Sequence, residues 1–162
     1  MQPLKILQLL FLLALANGAP LAAKKLLGQH LAFALDGGIC LGDGRPLFGP
    51  SKTVRGIVFA ILASSIGAPL AGISWQTGAL IGGLAMAGDL LSSFVKRRLA
   101  WAPSSRATGL DQVPESLLPL IGCAAALSLT AADIAATTAI FCAGEILLSR
   151  LLFRLHFRDR PY

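Results

Sequence analysis

The sequence predicts an all-α integral membrane protein with about five transmembrane helices, and three observations carry that expectation. Hydrophobic residues fill 55% of the 162 positions. Charged side chains number 22, where an average soluble domain of this length carries about 40. Mean hydropathy is +0.71, so too few polar groups remain to cover a water-soluble surface. These values exclude a disordered chain and argue against a soluble globule.

A helix needs about 20 mainly apolar residues to cross the hydrocarbon core. Segments of that character fall at Leu4–Ala22, Ile57–Ile73, Thr77–Val95, Ser116–Leu129 and Ala132–Phe153, the fourth being the shortest. Only Ser74-Trp75-Gln76 separates the second from the third, and Thr130 marks the turn between the fourth and the fifth. The remaining polar sequence lies in residues 23–56, residues 96–115 and the C-terminal tail. Residues 24–35 read as an interfacial amphipathic helix, lysines at the headgroups and leucines below them, with His30 as an interfacial polar residue.

The basic residues orient this layout. Thirteen of the fourteen lie in the two loops and the C-terminal end, and Lys5 alone lies on the other side. The positive-inside rule then places the N-terminus outside, with both loops and the C-terminus in the cytoplasm and Trp75 as an interfacial aromatic at the outer turn. A competing reading, in which Lys5, the run Ile6–Leu15 and Ala14-Leu15-Ala16 form a signal peptide, would put the basic 23–56 loop outside, against the same rule. The net charge of +6 therefore points to the cytoplasmic face and not to nucleic acid. Cys40, Cys123 and Cys142 are odd in number, without CxxC spacing or a nearby histidine pair, and read as unpaired thiols.

Carboxylates inside apolar spans are costly, about 2.5–3.5 kcal/mol near the bilayer centre, and mark functional candidates. Asp89 precedes Lys96 by seven residues, about 10 Å along a helix. Ser93 and Lys96 follow it at i+4 and i+7, with Arg97 beside the same stripe. A carboxylate, a hydroxyl and two cations on one face suit a metal-bound phosphate, although a charge-neutralised Asp near the interface has the same pattern. Glu145, with Ser149 one turn on, fits a structural hydrogen bond as well as a function.

The first loop combines Asp36-Gly37-Gly38, Gly42-Asp43-Gly44-Arg45 and Gly49-Pro50-Ser51-Lys52-Thr53-Val54-Arg55-Gly56. Glycines let backbone N–H groups approach phosphate oxygens, Arg45, Lys52 and Arg55 supply charge, and Asp residues can hold Mg²⁺. It is not a Walker A loop, because Pro50 and Ser51 intervene where the lysine should follow Gly49. The second loop holds Gly109-Leu110-Asp111-Gln112, with Arg106 and Glu115 nearby; alone, Asp111 reads as a helix N-cap.

Taken with Asn17-Gly18-Ala19-Pro20 and Gly88-Asp89-Leu90-Leu91-Ser92-Ser93-Phe94-Val95-Lys96-Arg97-Arg98, these stretches resemble the CDP-archaeol synthase family of membrane CTP-dependent lipid nucleotidyltransferases, and the likeness extends over the whole chain as one domain, 1–162. The block Gly88–Arg97 is also similar to the signature of phosphatidate cytidylyltransferases. The resemblance implies transfer of CMP from CTP to a lipid phosphate at the cell (inner) membrane, with Mg²⁺ as cofactor. It implies that Asp89 and Asp111 are near the metal, Asp43 or Asp36 being further candidates. Lys52, Arg55, Lys96 and Arg97 would hold phosphates, and Asn17 would orient a substrate. Asp36, Asp43, Arg45, Thr53 and Ser93 stand within the matching stretches as further substrate-binding candidates.

Three other classes make different demands. A small transporter places polar residues at the bilayer midplane and often shows two related halves. A CTP-dependent polyprenol kinase would release CDP, and a non-catalytic adaptor needs no carboxylate within a span. Synthesis of CDP-diacylglycerol from phosphatidic acid is the nearest variant of the same chemistry.

Overall fold

The computed structural model describes residues 1–102, 105, 107 and 109–154, the side chains of 150–154 excepted. Arg106, Arg158 and Arg160, and the side chains of Arg150 and Arg154, lie outside the described residues. Six helices follow in order: α1 (Pro3–Leu27), α2 (Val54–Leu70), α3 (Trp75–Arg98), α4 (Gln112–Gly122), α5 (Ala124–Leu127) and α6 (Ala131–Arg154). Among the described residues no strand forms, only the isolated bridges Ala34–Thr53 and Cys40–Pro46.

All five predicted segments are helical, but they are not alike. Pro3–Leu27, Trp75–Arg98 and Ala131–Ser149 are long and apolar enough to cross a membrane, while Val54–Leu70 is a shorter apolar helix. The fourth segment starts earlier than expected, at Gln112, and breaks at Cys123 into α4 and α5. Pro119 within α4 removes one N–H donor just before that break.

The start of each helix has a local cause. Pro3 opens α1, where its missing N–H costs nothing. Thr53 Oγ1 accepts from Gly56 N at 3.2 Å to cap α2, and Ser74 Oγ accepts from Thr77 N at 3.3 Å to cap α3. At its far end α1 runs on through Lys24 and Lys25 and stops at Gly28, whose φ of +53° suits a residue without Cβ. The separate amphipathic helix expected over 24–35 is therefore absent: its first four residues finish α1, and the rest forms turns.

Packing depends on small residues. A Cβ at Gly78 would lie 2.4 Å from Ser64 O, and one at Gly82 would lie 2.1 Å from Ser64 Oγ, so α2 and α3 meet nearly backbone to backbone. Leu9, Leu12, Leu13, Ile81, Leu120 and Phe141 fill the core where α1, α3, α4 and α6 converge. Beyond it, buried Asp133 accepts from Gln2 N (2.7 Å) and from Thr130 N and Oγ1 (3.1 and 2.7 Å), tying the chain start to α6. Lys5, the one Lys or Arg at this end among the described residues, donates to Leu127 O at the end of α5 (2.5 Å). Lys24, Lys25, Arg45, Lys52, Arg55, Lys96, Arg97 and Arg98 all stand at the opposite end, where α1 stops and α2 begins, so the charge asymmetry of the sequence is an asymmetry of the bundle.

Candidate active site

The first loop, residues 28–53, is folded on Asp36. Its Oδ1 accepts from Gly38 N (3.1 Å), and its Oδ2 accepts from Phe48 N (2.9 Å) and Gly49 N (2.8 Å), while the side chain is buried. Burial opposes the charge, but these backbone donors outweigh it and hold the Asp36 carboxyl below its ordinary value of 3.8. Asp36 thus holds the loop together and is not among the residues that line the cavity described below.

The depressed value fixes the sign of a pH effect. The stabilisation from Asp36 is fully present above about pH 4 and is lost as pH falls through the lowered folded-state value. Hydrogen–deuterium exchange, corrected for intrinsic rates, will show loop protection falling on acidification below that range. In Asp36→Asn, which keeps one acceptor oxygen for three donors, protection will be weak at every pH. Equal protection in both proteins at neutral pH would remove this role.

A second set of contacts holds the loop tip to the end of α3. Asp43 pairs with Arg98 (2.6 Å) and accepts from Arg45 N (3.1 Å). Arg98 also donates to Arg45 O and Pro46 O, and Arg45 donates to Arg98 O (2.6 Å). The backbone N–H of Arg45, then Arg98, keep the Asp43 carboxyl below its ordinary value. Both Asp43 and Arg45, expected to touch substrate, are here engaged with each other's neighbours and stand outside the cavity lining.

What the folded loop delivers is Lys52. Its ammonium straddles both oxygens of Asp89 at 2.6 and 2.5 Å, each side chain only 22% exposed. Arg55, on the first turn of α2, is buried and donates to Gly28 O and His30 O, closing the end of α1. Its Nε is buried without a partner.

Along α3 the predicted stripe is distributed over two places. Lys96 pairs with Asp111 at 2.7 Å and donates to Ser105 O, while Asp111 accepts from Ala107 N at 3.0 Å. Arg97 donates to Ala102 O, has a buried unpartnered Nε, and lies beside Gly49, where a Cβ would be 3.6 Å from its Nη1. Ser93 is buried and does not line the cavity. Two turns deeper, Asp89 faces Glu115 of α4, whose carboxyl is within hydrogen-bonding reach and 8% exposed.

A cavity of about 580 Å³ joins these elements. Lys52, Arg55, Asp89, Glu115 and Glu145 contribute charge to its lining, and Leu21, Ile57, Met86 and Leu90 add apolar surface. Asn17 borders it while donating to Leu13 O within its own helix, and Thr53 borders it while capping α2. Asp111, Lys96 and Arg97 are not among its lining residues. Glu115 is the site residue that sequence reasoning passed over. It stands four residues after Asp111, on the same face of a helix starting at that point, and that spacing was the available signal.

The residues present fit a divalent cation in one way. Among the described residues no three His, Cys, Asp or Glu side chains gather closely enough to form a cage. Mg²⁺ needs no such cage, since it commonly takes one or two carboxylates together with substrate phosphates. Two carboxyl groups facing each other beside one lysine supply that donor chemistry.

Residues 4–162 match a family model described as CarS-like CDP-archaeol synthase. A CDP-archaeol synthase of Sulfurisphaera tokodaii is 35% identical over 128 residues, 74% of this chain and 76% of that protein. One from Hyperthermus butylicus is 38% identical over 104 residues, 60% of this chain, and the aligned part spans 59% of the relative's length. A solved structure of an intramembrane enzyme for archaeal membrane lipids biosynthesis superposes with a TM-score of 0.70 at 28% identity, covering 85% of this chain and 90% of the other.

Proposed function

The chain belongs to the CDP-archaeol synthase family, and from that premise we propose that it transfers CMP from CTP to a membrane lipid phosphate, giving CDP-lipid and pyrophosphate. The acceptor is 2,3-bis-O-geranylgeranyl-sn-glycerol 1-phosphate or a related lipid phosphate. The observation that carries this reading is the mixed lining of the cavity, because a substrate with a phosphate and long chains needs charged and apolar surface in one space. The reaction takes place at the cytoplasmic face of the cell membrane, with the N-terminus outside. Clustering of the cations at one end of the bundle supports that orientation.

The chemistry needs no protein nucleophile. A lipid phosphate oxygen attacks the α-phosphorus of CTP in line, and the chain's task is to hold two anions together and neutralise them. Lys52, Arg55, Lys96 and Arg97 bind phosphate oxygens, and Asn17 orients a substrate at the cavity edge. Asp89, with Glu115 facing it in the cavity, would hold Mg²⁺, and Asp111, paired with Lys96 outside the cavity lining, is the second candidate from the family resemblance. When bound, that ion neutralises charge developing on the phosphates and stabilises departing pyrophosphate. Without substrate each Asp is balanced by a lysine. Incoming phosphates draw Lys52 and Lys96 to themselves and leave Asp89 and Asp111 available, so the two ion pairs keep these four charges matched until substrate arrives.

Purified protein in vesicles, given CTP labelled in the cytosine ring and an archaeal-type ether lipid phosphate, will move label into the organic phase with release of pyrophosphate. A polyprenol kinase would leave the label in water as CDP, and a transporter would leave it as CTP. Phosphatidic acid run in parallel separates the two lipid classes: a faster reaction with it would replace the acceptor named above.

A further inference from the structure

The end of α1 and the start of the first loop carry exposed apolar side chains that the bundle does not cover. Leu26, Leu31, Phe33 and Ile39 are 84%, 63%, 69% and 60% exposed, within fourteen residues at the charged end of the protein. Leu31 holds φ +58°, in the left-handed region that a branched aliphatic residue seldom occupies. The backbone beneath is already satisfied, by Leu35 N to Lys52 O (2.8 Å), Val54 N to Phe33 O (3.1 Å) and Leu47 N to Ile39 O (3.0 Å). Exposed Lys24 and Lys25 stand at its edge.

We propose that residues 26–39 dock onto the headgroup region of the leaflet that α1 and α2 enter, with Leu26, Leu31, Phe33 and Ile39 inserted below the headgroups and Lys24 and Lys25 level with anionic lipid phosphates. Continuity carries the choice of occupant. The 25 residues of α1 extend about 38 Å, beyond the roughly 30 Å hydrocarbon core, so its last turn and Gly28 stand at headgroup depth. The chain re-enters at Val54, so both ends of the loop are held at the membrane surface. A bilayer already surrounds these helices, and it offers acyl chains to the apolar residues and anionic phosphates to the lysines.

This docking has a consequence for the cavity. Gly28, Gln29 and Ala32 belong to the docked segment and line the cavity rim. The rim then lies at the depth of lipid phosphates, and an acceptor lipid reaches Lys52 and Arg55 by moving sideways in its own leaflet, its chains staying among other chains. That consequence rests on the proposed transfer to a lipid phosphate, whereas docking of the loop does not.

Phe33→Trp in a background carrying Trp75→Phe and Trp101→Phe tests it directly. The protein is reconstituted in phosphatidylcholine–phosphatidylglycerol vesicles, using lipid brominated either close to the glycerol or near the chain ends. Docking predicts that bromine close to the glycerol removes at least half of the emission, that bromine near the chain ends removes much less, and that acrylamide quenches weakly. Ile39→Trp in the same background repeats the measurement at a second position. Strong acrylamide quenching with no effect of bromine overturns the proposal, because the loop then stands in water. Shielding from both quenchers that disappears as protein is diluted into more lipid also overturns it, in favour of a second copy of this chain. Because the readout is fluorescence, failure of the docking is distinguishable from failure of the cytidylyl transfer, which is followed by label in the organic phase.

Discussion

Asp89→Asn will lower CTP-dependent pyrophosphate release by about 10²–10³-fold, the scale seen when one preorganised charge is removed from a transition-state site. Asn has the size of Asp and fits the same space, so the change isolates the charge. Lys52 then has no carboxylate against either former contact, at 2.6 and 2.5 Å, while Glu115 still has Lys52 and Glu145 within electrostatic range. Stability also falls, by about 1–3 kcal/mol, because a partly buried ammonium is left without its counter-charge. Adding Lys52→Met separates the two effects. The double variant removes the unmatched ammonium and recovers thermal stability, but it does not recover turnover, since Asp89 and Lys52 act on the substrate and not only on each other. Turnover near that of the unaltered protein in Asp89→Asn, or its recovery in the double variant, would reduce Asp89 to a structural ion-pair partner.

How far the sequence foretold this site depends on the range over which each feature is determined. Helices were legible because hydropathy is a local property, and all five apolar segments are helical. Their ends were less so. Lys24 and Lys25 read as the start of a surface helix, yet α1 continues past Pro20 and through them to Gly28. The fourth segment read as short for a reason visible only in part: Pro119 was in view, but the break at Cys123 was not.

Within the site, Asp89 stood out because a carboxylate in an apolar span has a cost that must be met somewhere. Its partner Lys52 lies 37 residues away in the chain, and no spacing rule pairs residues across a loop and a helix. Asp43 and Arg45 drew attention as charges among glycines, a composition shared by phosphate cradles and by tight hairpins. Here the second description fits their contacts, because their geometry closes on Arg98. Glu115 was passed over because a carboxylate at the start of a span looks like a headgroup residue. Only the packing of α4 on α3 turns it toward Asp89.

That packing leads to the second large effect. Gly88→Ala will destabilise the protein and impair turnover together, although alanine is the better helix former by about 1 kcal/mol. A Cβ at position 88 would lie 2.2 Å from Pro114 O, 2.4 Å from Pro114 C and 2.7 Å from Glu115 N. All three are backbone atoms, so no side-chain rotation relieves the clash and α4 must move away from α3. Overpacking of this kind costs about 1–3 kcal/mol, more than the helical gain. The displaced elements carry the site, since Gly88 precedes Asp89 and Pro114 precedes Glu115. Gly83→Ala is the matched control on the same helix, because a Cβ there meets nothing within 4 Å. It will keep full activity with an unchanged or slightly raised melting temperature in detergent. Gly88→Ala will melt earlier and, measured well below its melting point, will still turn over CTP more slowly than Gly83→Ala. Equal behaviour of the two variants would mean that α3 and α4 do not meet backbone to backbone at Gly88, and the pairing of Asp89 with Glu115 would lose its support with that contact.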